Sequence, residues 1–311
     1  MKAAKWVMRA ITAIVICAVA GVIVMSAVLG RQARVAMKEE KKAKAKSSYE
    51  EKELVITEPF VNIDVQAADD MDVKLKASED GRCVVDYFDS DEVVHSVYVQ
   101  DDTLTITCDD QRTFGSDLGF GDDPYIVISI PEAKYGRITL VSDSGDISSS
   151  VQLLCDKLTI TEVSGDVFIS GAGGARADIQ VKSGDVTVAT MEMDRVSISG
   201  ESGDFSLMNI GAKNINVSSG NGLLEGYDVV ASNTMTLTTD RGDIAIEGGE
   251  AATMWISTGK GDVDISLLSD KYILADSNSG DINLPESTVN SWEKCIVRTD
   301  SGSISLKYVD Q

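Results

Sequence analysis

A two-residue motif that begins with glycine recurs along the second half of the chain, at intervals near nineteen residues. Eight copies are evident: Gly145-Asp146, Gly165-Asp166, Gly184-Asp185, Gly203-Asp204, Gly242-Asp243, Gly261-Asp262, Gly280-Asp281 and Gly302-Ser303. The long interval between the fourth and fifth copies holds a degenerate copy, Gly220-Asn221-Gly222. A fixed period of this length is typical of a solenoid, in which each repeat folds as one unit and stacks on its neighbours. We therefore predict about nine coils of about 19–20 residues that follow one another without a break.

The residues on either side of each turn alternate between apolar and polar. The position two after each glycine is always apolar: Ile147, Val167, Val186, Phe205, Ile244, Val263, Ile282 and Ile304. A second alternating run precedes the glycines, as in Leu158/Ile160 and Val196/Ile198. Alternation over short runs predicts strands with one buried face. The fold class predicted for residues 141–311 is therefore all-β, a parallel β-solenoid with two strands in each coil.

The two residues of the turn motif have different expected roles. Glycine suits a turn that needs a positive φ or leaves no room for a Cβ atom. The aspartate carboxylate can accept hydrogen bonds from nearby backbone N–H groups. We therefore expect that replacing the glycines with valine costs more stability than replacing the aspartates.

Residues 53–140 are also rich in strand-forming patterns but do not repeat. Alternating runs include Val61-Asn-Ile-Asp-Val, Leu104-Thr-Ile-Thr and Tyr125-Ile-Val-Ile. An unpaired edge at the end of a solenoid invites strand addition from another molecule. We predict that this segment is a β-rich N-terminal region that caps the first coil.

The order of these segments resembles a known group of proteins. Alternating strands, Leu104-Thr-Ile, Tyr125-Ile-Val-Ile-Ser-Ile-Pro, and then Ser144-Gly-Asp-Ile with its repeats are similar to the bacterial putative-adhesin family of β-solenoid proteins of unknown function. The resemblance covers roughly Leu54 to Leu306. It implies a solenoid fold and a cell-envelope setting, and it supplies no catalytic residue to carry over.

An apolar segment near the N-terminus predicts a membrane anchor. Residues 11–29 contain no charged side chain and, at about 1.5 Å per residue, are long enough to cross a hydrocarbon core of about 30 Å. Lys2, Lys5 and Arg9 precede this segment, and no clear cleavage site follows it. We predict that residues 1–30 are a short tail and one transmembrane helix that acts as an uncleaved signal anchor, with a cleaved signal as the alternative. Residues 31–52 are predicted to be a basic linker.

The orientation of this anchor is a separate prediction. The linker carries more positive charge than the short tail, so the positive-inside rule taken alone would place the solenoid in the cytoplasm. The shortness of the tail and the family resemblance favour the opposite orientation. We predict a single-pass protein of the cell membrane with its solenoid outside the cytoplasm.

Charge and cysteine content exclude several classes of function. The formal net charge is −22, whereas nucleic-acid binding depends on basic side chains that neutralise phosphates, so no nucleic-acid partner is predicted. Apart from Cys17 in the predicted membrane helix, the cysteines are Cys83, Cys108, Cys155 and Cys295, without close spacing. This pattern fits neither a disulfide framework nor a zinc site. We predict free thiols, with a Cys83–Cys108 bridge as the alternative.

The chain offers little for catalysis. Its single histidine, His95, is predicted to be an ordinary residue on a strand surface, and no nucleophile motif accompanies it. Carbohydrate-active sites need aromatic platforms, but aromatic residues make up 5% of the chain, with Trp255 and Trp292 the tryptophans beyond the membrane segment. We therefore predict no catalytic residue, no cofactor and no enzymatic activity, and a polysaccharide-active envelope enzyme is the least favoured reading.

The acidic residues of the turns are the one candidate ligand set. If the coils stack in register, they form a column of carboxylates: Asp146, Asp166, Asp185, Asp204, Asp243, Asp262 and Asp281. Carboxylates about 5 Å apart repel one another unless hydrogen bonds or a cation neutralise them, and calcium prefers oxygen ligands. We predict that they cap the turns, and calcium binding is the alternative.

These patterns favour a binding role. We predict a non-enzymatic, membrane-anchored cell-surface protein that displays an adhesin-like solenoid to a protein or an envelope polymer. The alternative is a cell-envelope sensor or regulatory scaffold that binds other membrane proteins.

Overall fold

A computed structural model describes residues 50–67, 70–111, 125–286 and 291–309. The chain divides into two compact units, and the unit made of residues 49–113 with 123–311 holds every described residue. The regular secondary structure of the described residues is entirely β. None of them belongs to a helix that is long and apolar enough to cross a membrane. The predicted membrane span at residues 11–29 and the linker up to residue 49 lie outside the described residues.

The described part of the N-terminal region contains seven strands: β1 (Glu50–Ile56), β2 (Asn62–Gln66), β3 (Asp72–Ala77), β4 (Cys83–Asp89), β5 (Val93–Gln100), β6 (Thr103–Asp110) and β7 (Tyr125–Ile130). Strand β5 pairs with β6, β4 pairs with β7, and β1 pairs with β4, all antiparallel. Strands β2 and β6, and likewise β3 and β7, pair in parallel.

The repeats contain the remaining strands: β8 (Lys134–Ser144), β9 (Ile147–Ser149), β10 (Leu153–Ser164), β11 (Val167–Ile169), β12 (Ala172–Ser183), β13 (Val186–Ser202), β14 (Phe205–Asn221), β15 (Leu224–Arg241), β16 (Ile244–Lys260), β17 (Val263–Leu267), β18 (Tyr272–Ser277), β19 (Ile282–Asn283), β20 (Lys294–Ser301) and β21 (Ile304–Tyr308). All their pairings with one another are parallel. The fold is a parallel β-solenoid of about eight turns. The repeats predicted this type of fold, although about nine coils were expected.

Residues in register on neighbouring coils form the core. Leu140, Ile160, Ile179 and Ile198 stand opposite one another along one ladder, and each is at most 1% exposed. The predicted alternation is confirmed, because the residues that alternate with these four along their strands face outward. A third side, absent from the two-strand prediction, joins the ladders in the middle coils, where Met191 pairs with Ile210 and Ile210 with Val229.

The turn glycines are required by the stacking itself. A Cβ atom on Gly184 would lie 2.0 Å from the carbonyl oxygen of Gly165, and φ at Gly184 is +152°. At Gly165 a Cβ atom would lie 2.2 Å from the carbonyl oxygen of Gly145. Both expected reasons for glycine therefore hold. In the degenerate copy, Gly222 is the turn glycine, with φ of +133°.

The coils do not follow one another in chain order at the C-terminal end. Strand β16 pairs with β20, and β17 pairs with β21. Strands β18 and β19, which come earlier in the chain, pair on the other side of β20 and β21. The last strand pair therefore lies between two coils, and the expectation of an unbroken succession is wrong there. Lys271 accounts for part of this order. Its buried ammonium group bonds to Glu250 on β16 and, at 2.7 Å, to Glu293, which precedes β20.

The N-terminal end also departs from chain order. Strands β2 and β3 pair directly with β8 and β9 of the repeats, and β6 and β7 lie outside them. The two parallel ladders thus begin within the segment predicted as the cap. The antiparallel strands β4 and β5 then cover the outer edges of β7 and β6.

Candidate functional site

The turn aspartates form a column joined by hydrogen bonds. The backbone N–H of Asp166 donates to Oδ1 of Asp146 at 3.0 Å, and the N–H of Asp185 donates to Oδ1 of Asp166 at 2.9 Å. The N–H of Asp204 donates to Oδ1 of Asp185 at 2.8 Å. Each carboxylate therefore accepts a bond from the next coil, which is the capping arrangement that the motif predicted.

The column is interrupted at two places. Leu223 occupies the aspartate position of the degenerate turn, and its N–H still donates to Oδ1 of Asp204 at 2.7 Å. Beyond it the column resumes with Asp243 and Asp262, joined at 2.7 Å. Ser303 then stands between Asp262 and Asp281 because of the changed coil order. The structure thus brings four candidate aspartates together in one run and two in another, and it separates Asp281 from both.

The calcium alternative stays a prediction. Within the described ranges no group of three or more His, Cys, Asp and Glu residues is arranged to hold a metal ion. One oxygen of each stacked carboxylate already accepts a backbone hydrogen bond, and bonds of this kind stabilise the charged column without a cation.

His95 is buried, which corrects the expectation of a surface residue. Its side chain is fully enclosed, with Nδ1 2.9 Å from Oδ1 of Asp89 and Nε2 3.0 Å from the sulfur of Met71. Lys52 bonds to the other oxygen of Asp89 at 2.7 Å, and this bond, with those from His95, lowers the pKa of Asp89 against the opposing effect of burial. The cluster links β1, β4 and β5, so its geometry is that of a structural contact that stabilises the cap.

The described cysteines do not form a reactive centre. Burial raises the pKa of Cys83 to about 12, of Cys155 to about 11 and of Cys295 to about 12. Cys83 is a free thiol, so the alternative bridge to Cys108 is not formed. Thiols with such high pKa values are protonated and unreactive near neutral pH.

Glu162 is an unexpected buried acid. It lies in register with Ser142 and Val181 on the inner face of its ladder and is 1% exposed. Its Oε1 accepts a bond from the N–H of Ser164 at 3.1 Å, and its Oε2 is buried without a hydrogen-bond partner. Burial raises the pKa of Glu162 to about 7.

A groove crosses four coils on the third side of the solenoid, and we call it the side groove. Its volume is about 660 Å³. Its lining residues are Gly174, Glu192, Met193, Asp194, Asn209, Ile210, Gly211, Ala212, Lys213, Asp228, Val230 and Ser232. The corner beside it is made by residues with positive φ on successive coils, Thr190, Asn209 and Asp228. A Cβ atom on Gly211 would meet only the carboxylate of Glu192, the end of a flexible side chain that can move aside.

Exposed apolar side chains border the side groove. Met208 and Tyr227 stand opposite each other on β14 and β15, 37% and 51% exposed, directly before the corner residues Asn209 and Asp228. Val230 within the groove is also exposed. Sequence reasoning missed this surface. The available signal was that Met208 and Tyr227 occupy an outward position that is a small residue in the earlier coils, at Ser150, Ser170 and Ala189.

Comparison with known proteins identifies similar sequences and structures. A family model described as Toastrack DUF4097 matches residues 60–198 and again residues 186–311. No curated protein matches the chain.

Three solved structures are similar to this fold. A putative adhesin from Parabacteroides distasonis has 13% sequence identity and a TM-score of 0.51, over 84% of this chain and 98% of the other. A putative adhesin from Bacteroides fragilis has 16% identity and a TM-score of 0.47, over 85% and 99%. A putative adhesin from Parabacteroides merdae has 12% identity and a TM-score of 0.39, over 86% and 98%. At these identities the first likeness concerns the fold alone, and the other two carry no further argument.

Proposed function

The chain belongs to the Toastrack DUF4097 family, a bacterial family of unknown function with a solenoid fold, and from this membership we propose that it is a non-enzymatic, adhesin-like binding protein of the cell envelope. Its solenoid presents an outer surface to a protein or an envelope polymer. Residues 11–29 anchor it in the cell membrane, and the solenoid lies outside the cytoplasm.

The side groove is the observation that carries the binding role. It combines the exposed apolar side chain of Val230 with the charged side chains of Glu192 and Asp194, and Lys213 bonds to Asp194 at 2.8 Å. Apolar surface with a few placed polar groups is typical of binding sites. Exposed Tyr227 beside it adds an aromatic side chain of the kind that contributes most to binding interfaces.

The surroundings of His95 favour a role without catalysis. The only histidine of the chain is enclosed between Asp89 and Met71, so its ring cannot reach a substrate at the surface. The side groove contains carboxylates and one lysine that is already paired with Asp194. This arrangement supports holding a ligand and offers no activated nucleophile.

The location is tested by protease access to a tag placed after residue 311. In wall-stripped cells that carry the full chain, we expect cleavage of the tag before lysis. Protection until lysis would contradict an extracytoplasmic solenoid and would favour a membrane-tethered scaffold in the cytoplasm.

The binding role is tested with the full chain and with isolated cell-wall fragments of the producing bacterium. Tyr227→Ser combined with Val230→Ser removes exposed apolar area beside the side groove and leaves the core unchanged. We expect at least about tenfold weaker retention on the fragments, which corresponds to about 1.4 kcal/mol. Tyr98→Ser, at an exposed tyrosine of the cap, is the matched control and should bind as the wild type does. Equal binding by all three proteins would overturn the role of the groove.

A further inference from the structure

The C-terminal end of the solenoid has an outer edge, formed by β18 and β19, that we call the open end. Strand β18 pairs only with β20, and β19 only with β21, among the strands of the described residues. The N–H groups of Tyr272 and Asn278 donate inward, to the carbonyls of Glu293 and Thr299, at 2.9 and 3.3 Å. Backbone groups alternate in direction along a strand, so those of Ile273, Ala275 and Ser277 point away from β20. An edge of this kind is a template for strand pairing.

Among the described residues, no strand covers the core of the solenoid at the open end. Ile282 is 43% exposed, whereas Ile304 and Val263, in the same column of the inner coils, are 1% exposed. Leu284, which follows Ile282 in the alternation, is also exposed. Removing apolar surface from water is favourable, so one more strand beside this edge would be stabilised by the surface it covers.

The outer face next to this edge is also apolar. Trp255, Ile296 and Leu274 stand in register on successive strands, and Trp255 and Leu274 are both nearly half exposed. Trp292, which precedes β20, is 95% exposed. The chain has three tryptophans, and the two beyond residue 49 are therefore both at this end. Tryptophan is the residue most enriched among those that dominate binding energy at protein interfaces.

We propose that the open end is a docking site for an extended segment of another protein, which adds as a β-strand beside β18. The charge of the outermost coil indicates the partner. Residues 272–286 contain Asp276, Asp281 and Glu286 and no lysine or arginine. The matching segment alternates apolar residues, which cover the exposed core, with lysine or arginine, which face these acids.

A second copy of this chain fits the site poorly. The N-terminal end cannot continue the ladders of another copy, because the antiparallel strands β4 and β5 cover its edges. The net charge of −22 also makes two copies repel each other. The charge therefore favours a different, basic polypeptide as the partner.

The test uses the full chain and a synthetic eight-residue peptide in which valine and isoleucine alternate with lysine and arginine. We expect binding that protects the amide hydrogens of Ile273, Ala275 and Ser277 from exchange. A peptide with glutamate in place of each basic residue should bind at least about tenfold more weakly, since it meets like charges. A peptide with N-methylated amides on its pairing edge should not bind, because it cannot form the ladder. Equal binding of the N-methylated peptide, or protection elsewhere, would overturn the proposal.

Two variants locate the site on the protein. Ala275→Pro removes an outward N–H that the fold does not use, and proline is tolerated on an edge strand in that orientation. We expect it to abolish peptide binding with little change in melting temperature, whereas Ala275→Ser keeps the N–H and the binding. Concentration-dependent dimerisation of the wild type that Ala275→Pro abolishes would instead identify a second copy as the occupant and contradict the proposal.

This inference is separate from the binding role of the side groove. Tyr227→Ser with Val230→Ser should leave peptide binding unchanged, and Ala275→Pro should leave retention on cell-wall fragments unchanged. The two proposals can therefore fail independently.

Discussion

The two ends of the solenoid are completed in different ways. At the N-terminal end the outermost parallel strands, β6 and β7, follow the inner pair β2 and β3 in the chain, whereas at the C-terminal end the outermost strands, β18 and β19, precede the inner pair β20 and β21. At the N-terminal end, antiparallel strands cover the outer coil, and the cluster of Lys52, Asp89 and His95 fastens them. At the C-terminal end, the ion pairs of Lys271 hold the inserted strands, and no described strand covers the outermost coil.

The difference shows that placing a coil out of chain order does not by itself seal a solenoid. The order fixes which strand is outermost, but the edge is hidden only where antiparallel strands add to it. The outer edges of β6 and β7 are therefore covered, whereas no described strand covers those of β18 and β19, which are left available for contact.

The largest expected effect contrasts the middle of the solenoid with the open end. In Gly184→Val the new side chain would meet the carbonyl of Gly165, and both neighbouring coils are fixed. We expect a loss of about 3 kcal/mol or more in the free energy of unfolding. Gly280→Val meets the carbonyl of Gly302 at a similar distance, but the outermost coil can move away. Denaturant titration should give the smaller loss for Gly280→Val, and equal losses would contradict a looser outer coil.

A second test concerns the buried acid near the capped end. The pKa of Glu162 in the folded protein, about 7, is above the usual value of 4.5, so its contribution to stability is fully present below pH 4.5 and is lost as the pH rises through 7. Glu162→Gln should therefore be more stable than the wild type at pH 8, by about 2 kcal/mol, and nearly equal to it at pH 4.5. The exposed Glu201→Gln is the control and should show no such difference. The measurement is the unfolding midpoint in urea at both pH values.

A third test compares the ion clusters of the two ends. Lys271 is fully enclosed, and its removal in Lys271→Met leaves two carboxylates facing each other, so we expect a loss of about 2 kcal/mol. Hydrogen bonding to Lys271 lowers the pKa of Glu293, so this stabilisation is present above the usual pKa and is lost as the pH falls through the lowered value. Lys52→Met should lower the melting temperature less, because Lys52 is part-exposed and Asp89 keeps its bonds from His95. Calorimetry between pH 3 and pH 7 should show that the melting temperature of Lys271→Met falls less at acid pH than that of the wild type. An equal fall for both proteins would show that Glu293 does not contribute to this stabilisation.

A smaller effect is expected from the turn aspartates. Asp185→Ala removes the acceptor for the N–H of Asp204 and should cost about 1 kcal/mol. Asp281 lies in the outermost coil, and no described backbone N–H donates to its carboxylate. Asp281→Ala should therefore leave the unfolding free energy unchanged, and a loss equal to that of Asp185→Ala would show that these residues act through something other than capping.

The smallest expected effect is that of calcium. If the column is held by its hydrogen bonds, millimolar calcium should leave the melting temperature of the full chain unchanged. A rise that a chelator reverses, and that Asp185→Asn with Asp204→Asn reduces, would establish the cation-binding alternative.

The regular coils could be predicted from the sequence because each structural position has the same physical requirement in every coil. Gly184 needs a positive φ and has no space for a Cβ atom, and Ile179 lies in a buried column, so the local pattern specifies both. The burial of His95 was also within reach, since it alternates with Val93 and so shares the buried face of β5.

The order of the coils could not be predicted in the same way. The segments around Gly261, Gly280 and Gly302 carry the same local pattern, so any of them fits beside any other. What distinguishes them is the pairing of Lys271 with Glu250 and Glu293, residues far apart in the sequence. The side groove depends likewise on neighbours brought together from four coils.

The insertion of β20 and β21 between two earlier coils has a consequence for how the protein is made. A solenoid stacked in chain order can grow coil by coil as it leaves the ribosome, since each new unit needs only the one before it. Here the strands Tyr272–Ser277 and Ile282–Asn283 are synthesised before the strands with which they pair. The strands with which they pair in the folded protein exist only once residues 294–308 have been synthesised. A chain that stops short of those residues lacks the strands with which its outermost coil pairs. The native end of the solenoid therefore forms only after translation has passed them.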